Sequence, residues 1–313
     1  MNLDVLVIGD LNTDIIVKGI RGFPTIGKEI LFDEYDVVIG GSGGIFANVV
    51  SQIGCSTGII SKISDDFFGE FLIKKCIRNG VKTELLNTIP GASTGLTLSL
   101  SYPEGKSQIS ELKLLKTIKS EEIIFDKIDS LRHIHFSSYF MMDSLKKNYI
   151  DLICRIRDRF KNITISFDTN DDSEEKWDNW LLDIFKNIDI LFLNEREALG
   201  ISRKKDYNEA LNLLCKLTKI VIIKLGKDGY VANIDGKIYK GCCYNSLNKN
   251  FLDSTGAGDN FDAGFVFGFL KKINYEKNLL FANYCGETSV EYIGGVGGEV
   301  KYKRIKKYFK SLL

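Results

Sequence analysis

Histidine is nearly absent: two occur in 313 residues, which excludes most chemistry built on histidine metal clusters or serine–histidine triads. Net charge is nearly absent too. Lys+Arg number 42 against Asp+Glu 41, a formal charge of +1, so no global field draws the chain toward nucleic acid or an anionic membrane. No apolar run approaches the length that spans a bilayer. The N-terminus enters a short apolar run, Val5 to Ile8, directly, with no basic segment leading a long hydrophobic one. Seven cysteines, odd in number and scattered, suggest no disulfide framework, and the adjacent Cys242 and Cys243 lack metal-ligand spacing, so a reducing cytoplasm is expected. Internal repeats and low-complexity linkers are missing as well. What is present is 44% hydrophobic content in a chain long enough for one large core or two smaller ones.

The stretch Asp253-Ser254-Thr255-Gly256-Ala257-Gly258-Asp259 organises the rest. It lies between the turn-rich segment Asn245 to Asn250 and the apolar run Phe261 to Leu270, where Phe261, Phe265 and Phe269 recur at the spacing of one helix face. Gly256-Ala257-Gly258 therefore reads as a loop opening a helix, with Asp259 in or near its first turn. Amides at a helix start have no intrahelical partner, and small residues let an anion approach them. A carboxylate beside them can take a proton from an attacking hydroxyl. Donors for a phosphoryl group and a base for its acceptor are what phosphoryl transfer to an alcohol requires. A capped helix with glycines for the turn and an aspartate favoured by the dipole accounts for the same residues, and both readings stand on these seven alone.

Taken in order, Leu3 to Ile8 is a buried-strand pattern, followed by Asn12-Thr13-Asp14. Asp14 can accept bonds from two neighbouring hydroxyls, or simply close an Asx turn. Gly22 to Lys28 is not a P-loop, because Glu29 stands where Ser or Thr is needed, Pro24 interrupts it, and no convincing strand precedes it. Glu29 to Val38 is strand material. Gly40-Gly41-Ser42-Gly43-Gly44 opens a helix from Ile45 to Ile53, either as a close-approach loop or as a plain strand-to-helix turn. Ile59 to Ser64 reads as strand and Phe68 to Arg78 as helix. Thr94 to Tyr102 alternates around a turn at Pro103-Glu104-Gly105, with more strand beyond Lys106, as a hairpin does.

Arg132 to Phe136 places His133 and His135 on one strand face, and with no third ligand in sight strand packing is favoured over metal. Lys146 to Phe160 is an amphipathic helix, Ile163 to Phe167 a strand, and Ile188 to Leu193 another. This alternation implies a parallel sheet, with ligands beyond the carboxyl ends of its strands. Asp168, Asn170, Asn194 and Glu197 all follow such ends, although Glu195 and Glu197 also suit a dipole-favoured first turn. Ile220 to Ile223 and Tyr230 to Asn233 are strands joined by a glycine-bearing turn. Asn278 to Tyr292 is a helix, and Lys301 to Lys310 a basic terminal helix with a solvated face.

The 253–259 stretch resembles the C-terminal signature of the ribokinase-like sugar kinases, the PfkB carbohydrate kinase family, and other landmarks fall in family order along almost the whole chain. The resemblance implies one α/β domain over 1–313: a three-layer fold with a central, mostly parallel sheet flanked by helices, and a small β lid from about 12–38 and 92–118. It implies ATP-dependent phosphorylation of a hydroxyl, primary in the usual case, on a small sugar or polyol. Asp259 would be the general base, with the amides of Gly256, Ala257 and Gly258 as anion hole. Asn12, Asp14, Gly40 and Gly41 would bind the acceptor, and Asn194, Lys224, Gly226, Gly229 and Asn283 the ATP. Glu197 and Asn194 would hold magnesium mostly through water, and Asp253 and Thr255 are candidates for a monovalent cation such as potassium.

Two positions depart from the family pattern. Ile45 stands where the family has Asn, with Asn48 one helical turn further on, and Lys224 replaces a frequent Thr. The apolar outer face of such a lid points to a homodimer. A nucleoside kinase, a sugar-phosphate kinase with Arg21, Lys28 or Lys106 near the acceptor, and a non-catalytic sugar sensor remain the alternatives.

Overall fold

The computed structural model describes residues 1–102, 105–243 and 251–313. Pro103 and Glu104 of the expected hairpin turn, and the segment 245–250, lie outside the described residues.

The first half contributes strands β1 (Asn2–Ile8), β2 (Asn12–Lys18) and β3 (Glu34–Gly40), helix α1 (Ser42–Ile53), strands β4 (Thr57–Ile60) and β5 (Lys62–Ser64), and helix α2 (Phe67–Arg78). Strands β6 (Val81–Lys82), β7 (Asn87–Ile89), β8 (Leu96–Tyr102), β9 (Gly105–Glu111) and β10 (Ser130–Phe136) follow. The second half has α3 (Tyr149–Arg159), β11 (Thr164–Asp168), α4 (Leu181–Phe185), β12 (Ile190–Asn194), α5 (Glu195–Ser202) and α6 (Tyr207–Leu214). It ends with β13 (Ile220–Lys224), β14 (Tyr230–Ile234), β15 (Lys237–Gly241), α7 (Ala257–Leu270), α8 (Tyr275–Ser289) and α9 (Glu299–Leu312).

The main sheet runs β15-β14-β13-β12-β11-β10-β1-β4-β6, parallel from β13 through β6 and antiparallel at β14 and β15. Its central strands read as continuous apolar runs because both faces are covered. Helices α3 to α6 pack one face and α1, α2, α7, α8 and α9 the other, giving two cores separated by the sheet. A small separate sheet, β3-β2-β8-β9, is built from the two stretches expected to form a lid. No helix among the described residues is long and apolar enough to cross a membrane. His133 and His135 are fully packed within the sheet. Burial pulls both imidazoles well down, His135 to about 3, while Thr164 and Ser166 take their ring nitrogens and Phe46 stacks on His135.

Several element boundaries differ from the sequence reading, and the strand read over Ile59 to Ser64 divides at Ser61 into β4 of the main sheet and β5, which pairs with β7 in a two-stranded sheet of its own. β3 starts at Glu34 rather than Glu29, because its partner β2 ends at Lys18, the residue opposite Glu34. Lys146 to Asn148 form a single 3-10 turn, so α3 proper starts at Tyr149. Asp168 is the last residue of β11, not of the following loop. α8 begins three residues before Asn278, where the Asn274 side chain caps the Lys277 amide, and it stops at Ser289; the next carbonyl, Val290 O, turns to accept from Leu252 and Asp253. The terminal helix also departs from a solvated basic face. Lys303, Lys306, Lys307 and Lys310 are exposed, but Lys301, Tyr302 and Ile305 are buried against the rest of the molecule.

Candidate active site

The N-terminus of α7 is a sharp turn. The Ala257 amide donates to Ser254 O at 3.2 Å, and Gly256 has φ 72° and ψ 10°, the left-handed third position of a type II turn. A Cβ at Gly256 would sit 2.7 Å from the Gly295 Cα, so close packing as well as backbone conformation requires glycine. The first helical bond runs from the Asn260 amide to Gly256 O at 2.9 Å. Among the described residues the amides of Gly256, Gly258 and Asp259 find no acceptor. Ala257, expected among the anion-binding donors, instead closes the turn, and Asp259 supplies an amide that the sequence reading did not count.

Asp259 lies in the first turn at 9% exposure. Burial, reinforced by the charge of Asp168, lifts its carboxyl to about 7. The nearby ammonium, Lys224 at the end of β13, pairs with Asp168 Oδ2 at 2.8 Å and Asp262 Oδ2 at 2.9 Å. Burial opposes ionisation of Asp168, but the Lys224 charge holds it down to about 2, whereas burial keeps Asp262 well above its usual range. Among the described residues no N–H group reaches Asp262 Oδ1, and the raised Asp262 carboxyl can share a proton with Asp168. Lys224 is therefore pinned from two sides rather than free to swing to a phosphate. Its Nζ still lies beneath the amide cup, 3.1 Å from where a Cβ on Gly258 would stand.

At the carboxyl end of β12, Asn194 and Glu197 form a reciprocal cap. Glu197 N donates to Asn194 Oδ1 at 2.9 Å, while Asn194 N and Nδ2 donate to the two Glu197 oxygens at 2.8 and 2.6 Å. Burial raises Glu197 to about 8.

On the other side of α7, the loop after β1 and the start of β2 gather polar groups under the small sheet. Asp10 accepts from Gly43 N at 2.8 Å, Ser42 N at 3.2 Å and Ser138 Oγ at 2.6 Å, closing the start of α1. Asn12 Nδ2 donates to Asp14 Oδ1 at 2.7 Å, and burial raises Asp14 to about 7. The Gly40–Gly41 pair makes room for these side chains: a Cβ at Gly40 would fall 1.9 Å from Asp14 Oδ1, and one at Gly41 2.7 Å from Asn12 Oδ1. Asn170 Nδ2 donates to Ser138 Oγ at 2.8 Å, and Ser42 Oγ to Asn170 Oδ1 at 2.8 Å. Lys106, on β9, reaches across to donate to Thr255 Oγ1 at 3.0 Å. Arg21 instead pairs with Asp33 at the surface.

Ile45 does not face this pocket. It packs on Gly256 and Gly295, and the buried Asn48 bonds to Gly44 O, Cys76 Sγ and Asn79. Asp253 Oδ1 accepts from Thr255 N and Oγ1, and Oδ2 from Gly294 N.

A cavity of about 420 Å³ opens on the opposite side of the amide cup, between the turn after β13 and α8. Lys224, Gly226, Gly229, Ala257, Gly258 and Asn283 contribute to its walls. Gly229 has φ 90°, and a Cβ there would meet Gly241 O at 2.0 Å. Asn283 Nδ2 is held by Glu287 Oε1 at 2.6 Å and Cys242 O at 3.3 Å.

Sequence reasoning passed over Asp10, Asp262, Asn260 and Lys301. Asp262 had a signal, a carboxylate inside an otherwise apolar run. Lys301 had none, since its partners are distant in sequence.

A parallel-sheet cleft with a cavity on one side of a bare helix N-terminus and buried carboxylates on the other defines a phosphotransferase of the ribokinase type. The chain belongs to the pfkB family of carbohydrate kinases, whose profile matches residues 2–300. An ATP-dependent 6-phosphofructokinase of Thermoanaerobacterium thermosaccharolyticum is 23% identical over 94% of this chain and 89% of its own. A cytidine kinase of Thermococcus kodakarensis is 26% identical over 85% of this chain and 88% of its own. Among solved structures, a putative ribokinase II of E. coli in complex with ATP and Mg2+ superposes with a TM-score of 0.83 at 22% identity, covering 98% of this chain and 99% of that one.

Proposed function

We propose that this kinase transfers the γ-phosphoryl group of ATP to a hydroxyl, normally a primary one, of a small sugar or sugar-like polyol. The observation that carries the reading is the position of Asp259. It lies in the first turn of α7, where its own amide and those of Gly256 and Gly258 have no acceptor among the described residues; Ala257 and Gly258 beside it line the cavity of about 420 Å³, and the charge of Asp10 reaches its carboxyl. Asp14 and Asn12 grip the acceptor under the lid formed by β3-β2-β8-β9, with Gly40 leaving room for the Asp14 side chain and Gly41 for that of Asn12. Asp259 takes the hydroxyl proton as the new O–P bond forms and the bond to ADP breaks. The amides of Gly256, Gly258 and Asp259 stabilise charge on the transferring group. Gly226, Gly229 and Asn283 frame the nucleotide, while Lys224 sets the field beneath the cup.

Magnesium fits at Asn194 and Glu197 through water. Both Glu197 oxygens already accept from Asn194, and magnesium usually keeps several waters. When bound with ATP, the ion would offset charge on the phosphate oxygens.

A second reading, an acceptor that itself carries a phosphate or carboxylate, is favoured by Lys106, whose ammonium donates to Thr255 Oγ1 at 3.0 Å and whose charge is felt by the Asp14 carboxyl. ADP release measured over free sugars, sugar acids, sugar phosphates and nucleosides tests these readings. Turnover of neutral sugars supports the first, and turnover of anionic ones, weakened by Lys106→Ala, the second. Sugar binding with no ADP release from any acceptor would indicate a sensor instead.

A further inference from the structure

Lys301 is a buried charge that the reaction just described leaves unused. It sits in the first turn of α9 at 0% exposure, and its Nζ donates to Asn260 Oδ1 at 2.6 Å, Gly295 O at 2.8 Å and Val296 O at 3.0 Å. Among the described residues no carboxylate pairs with it; the Cys285 thiol of α8 and the Tyr302 ring are its other neighbours. Burial pulls the amine down to about 7. Three acceptors nevertheless need three N–H donors, which only the ammonium has, since a neutral amine would turn a lone pair on a carbonyl. Two main-chain carbonyls and an amide oxygen form the kind of donor set that replaces the hydration shell of a monovalent cation.

Each of these oxygens leads to the amide cup. Asn260 follows Asp259 in the chain, and its Nδ2 donates to Gly256 O at 2.7 Å and Gly295 O at 2.8 Å. Gly295 packs directly on Gly256, and Gly294 N holds Asp253 Oδ2 at 2.9 Å. The segment 294–296 is thus clamped between Lys301 and the loop that forms the cup.

We propose that Lys301 is a positioning residue for phosphoryl transfer: its ammonium acts as a built-in monovalent cation that fixes residues 294–296 and, through Asn260, the Gly256 turn, so that the enzyme needs no added potassium. The inference rests on the kinase reading above.

The test compares ADP release, with the acceptor found in the panel, in tetramethylammonium chloride and in equal concentrations of potassium and ammonium chloride. The wild-type enzyme is expected to turn over equally in all three. Lys301→Ala should lower kcat by about tenfold or more in tetramethylammonium, with little change in the KM for ATP, because misplaced donors act in the transition state. Potassium or ammonium, small enough to enter the vacated cage, should restore most of that loss. A merely structural lysine would instead give losses of Tm and activity that no salt repairs, and that result overturns the proposal. So does a wild-type enzyme that requires potassium, or a folded Lys301→Ala enzyme at full speed in tetramethylammonium. If Lys301→Ala does not fold, Asn260→Ala, which cuts the link to Gly256 and keeps the lysine, should lower kcat in every salt; unchanged kcat there overturns the proposal. ADP release from no acceptor in any salt removes the kinase reading itself, and is distinguishable because the wild type is then already inactive.

Discussion

Burial lifts the Asp259 and Asp14 carboxyls to about 7, so each gives up its charge as pH falls through that range. In the reaction proposed above both act in the ionised form, one as base and one as acceptor of hydroxyl bonds. The acid limb of a kcat/KM profile should therefore fall as pH drops below 7, with a logarithmic slope between one and two. Asp259→Asn should lower kcat by about 10² or more and leave ATP affinity by calorimetry unchanged; near-normal turnover would reject the base assignment. Lys224 belongs to the same scale. Lys224→Met leaves Asp168 buried without its cation, and removing one partner of a buried ion pair costs about 3–5 kcal/mol, a loss to be read from denaturant unfolding. The place of Asp259 in the first turn of α7 was legible in the sequence because it follows from neighbours one or two residues away. Lys224 was legible only as a cation near phosphate; its actual partners, Asp168 and Asp262, lie 56 and 38 residues away.

Elements were legible where burial imposes a period. The apolar runs of β1, β10, β11, β12 and β13, and the phenylalanine spacing of α7, locate those segments because each must cover a core. Ends were less legible, since they depend on what happens outside the segment. β3 is short because β2 runs out, and α8 ends where Val290 O turns to the 252–253 amides. The turn into α7 carries its own prediction. Gly256→Ala forces a side chain into a left-handed conformation, costing about 1–3 kcal/mol, and drives a Cβ to 2.7 Å from Gly295 Cα. Its denaturation midpoint should drop and its kcat should fall more steeply than its affinity for ATP, because in the proposed reaction the displaced amides serve the transition state.

For the whole molecule, sequence order hid sheet order: β1 lies between β10 and β4, a juxtaposition set by crossovers that no local pattern reports. The small sheet likewise shows its two faces only when its strands are paired. Val37, Ile15, Leu98 and Ile109 stand in register across all four strands, while the neighbouring Asp14 turns to the cleft. Ile109 is 61% exposed. We propose that this apolar row is a pairing surface between two copies of the chain. Light scattering should report a dimer for the wild type, and Ile109→Glu should shift it to monomer and raise the KM for the acceptor; a wild-type monomer would end that assignment.

The link from α9 to the amide cup also bears on how the protein comes into being. On the ribosome, Asp14 and Asp259 emerge before Lys301 does. If that ammonium aligns the cup, a growing chain holds its acceptor pocket and its base while its oxyanion donors still lack their anchor. Readiness for catalysis then coincides with docking of α9, and a chain made only as far as the cup spends no ATP.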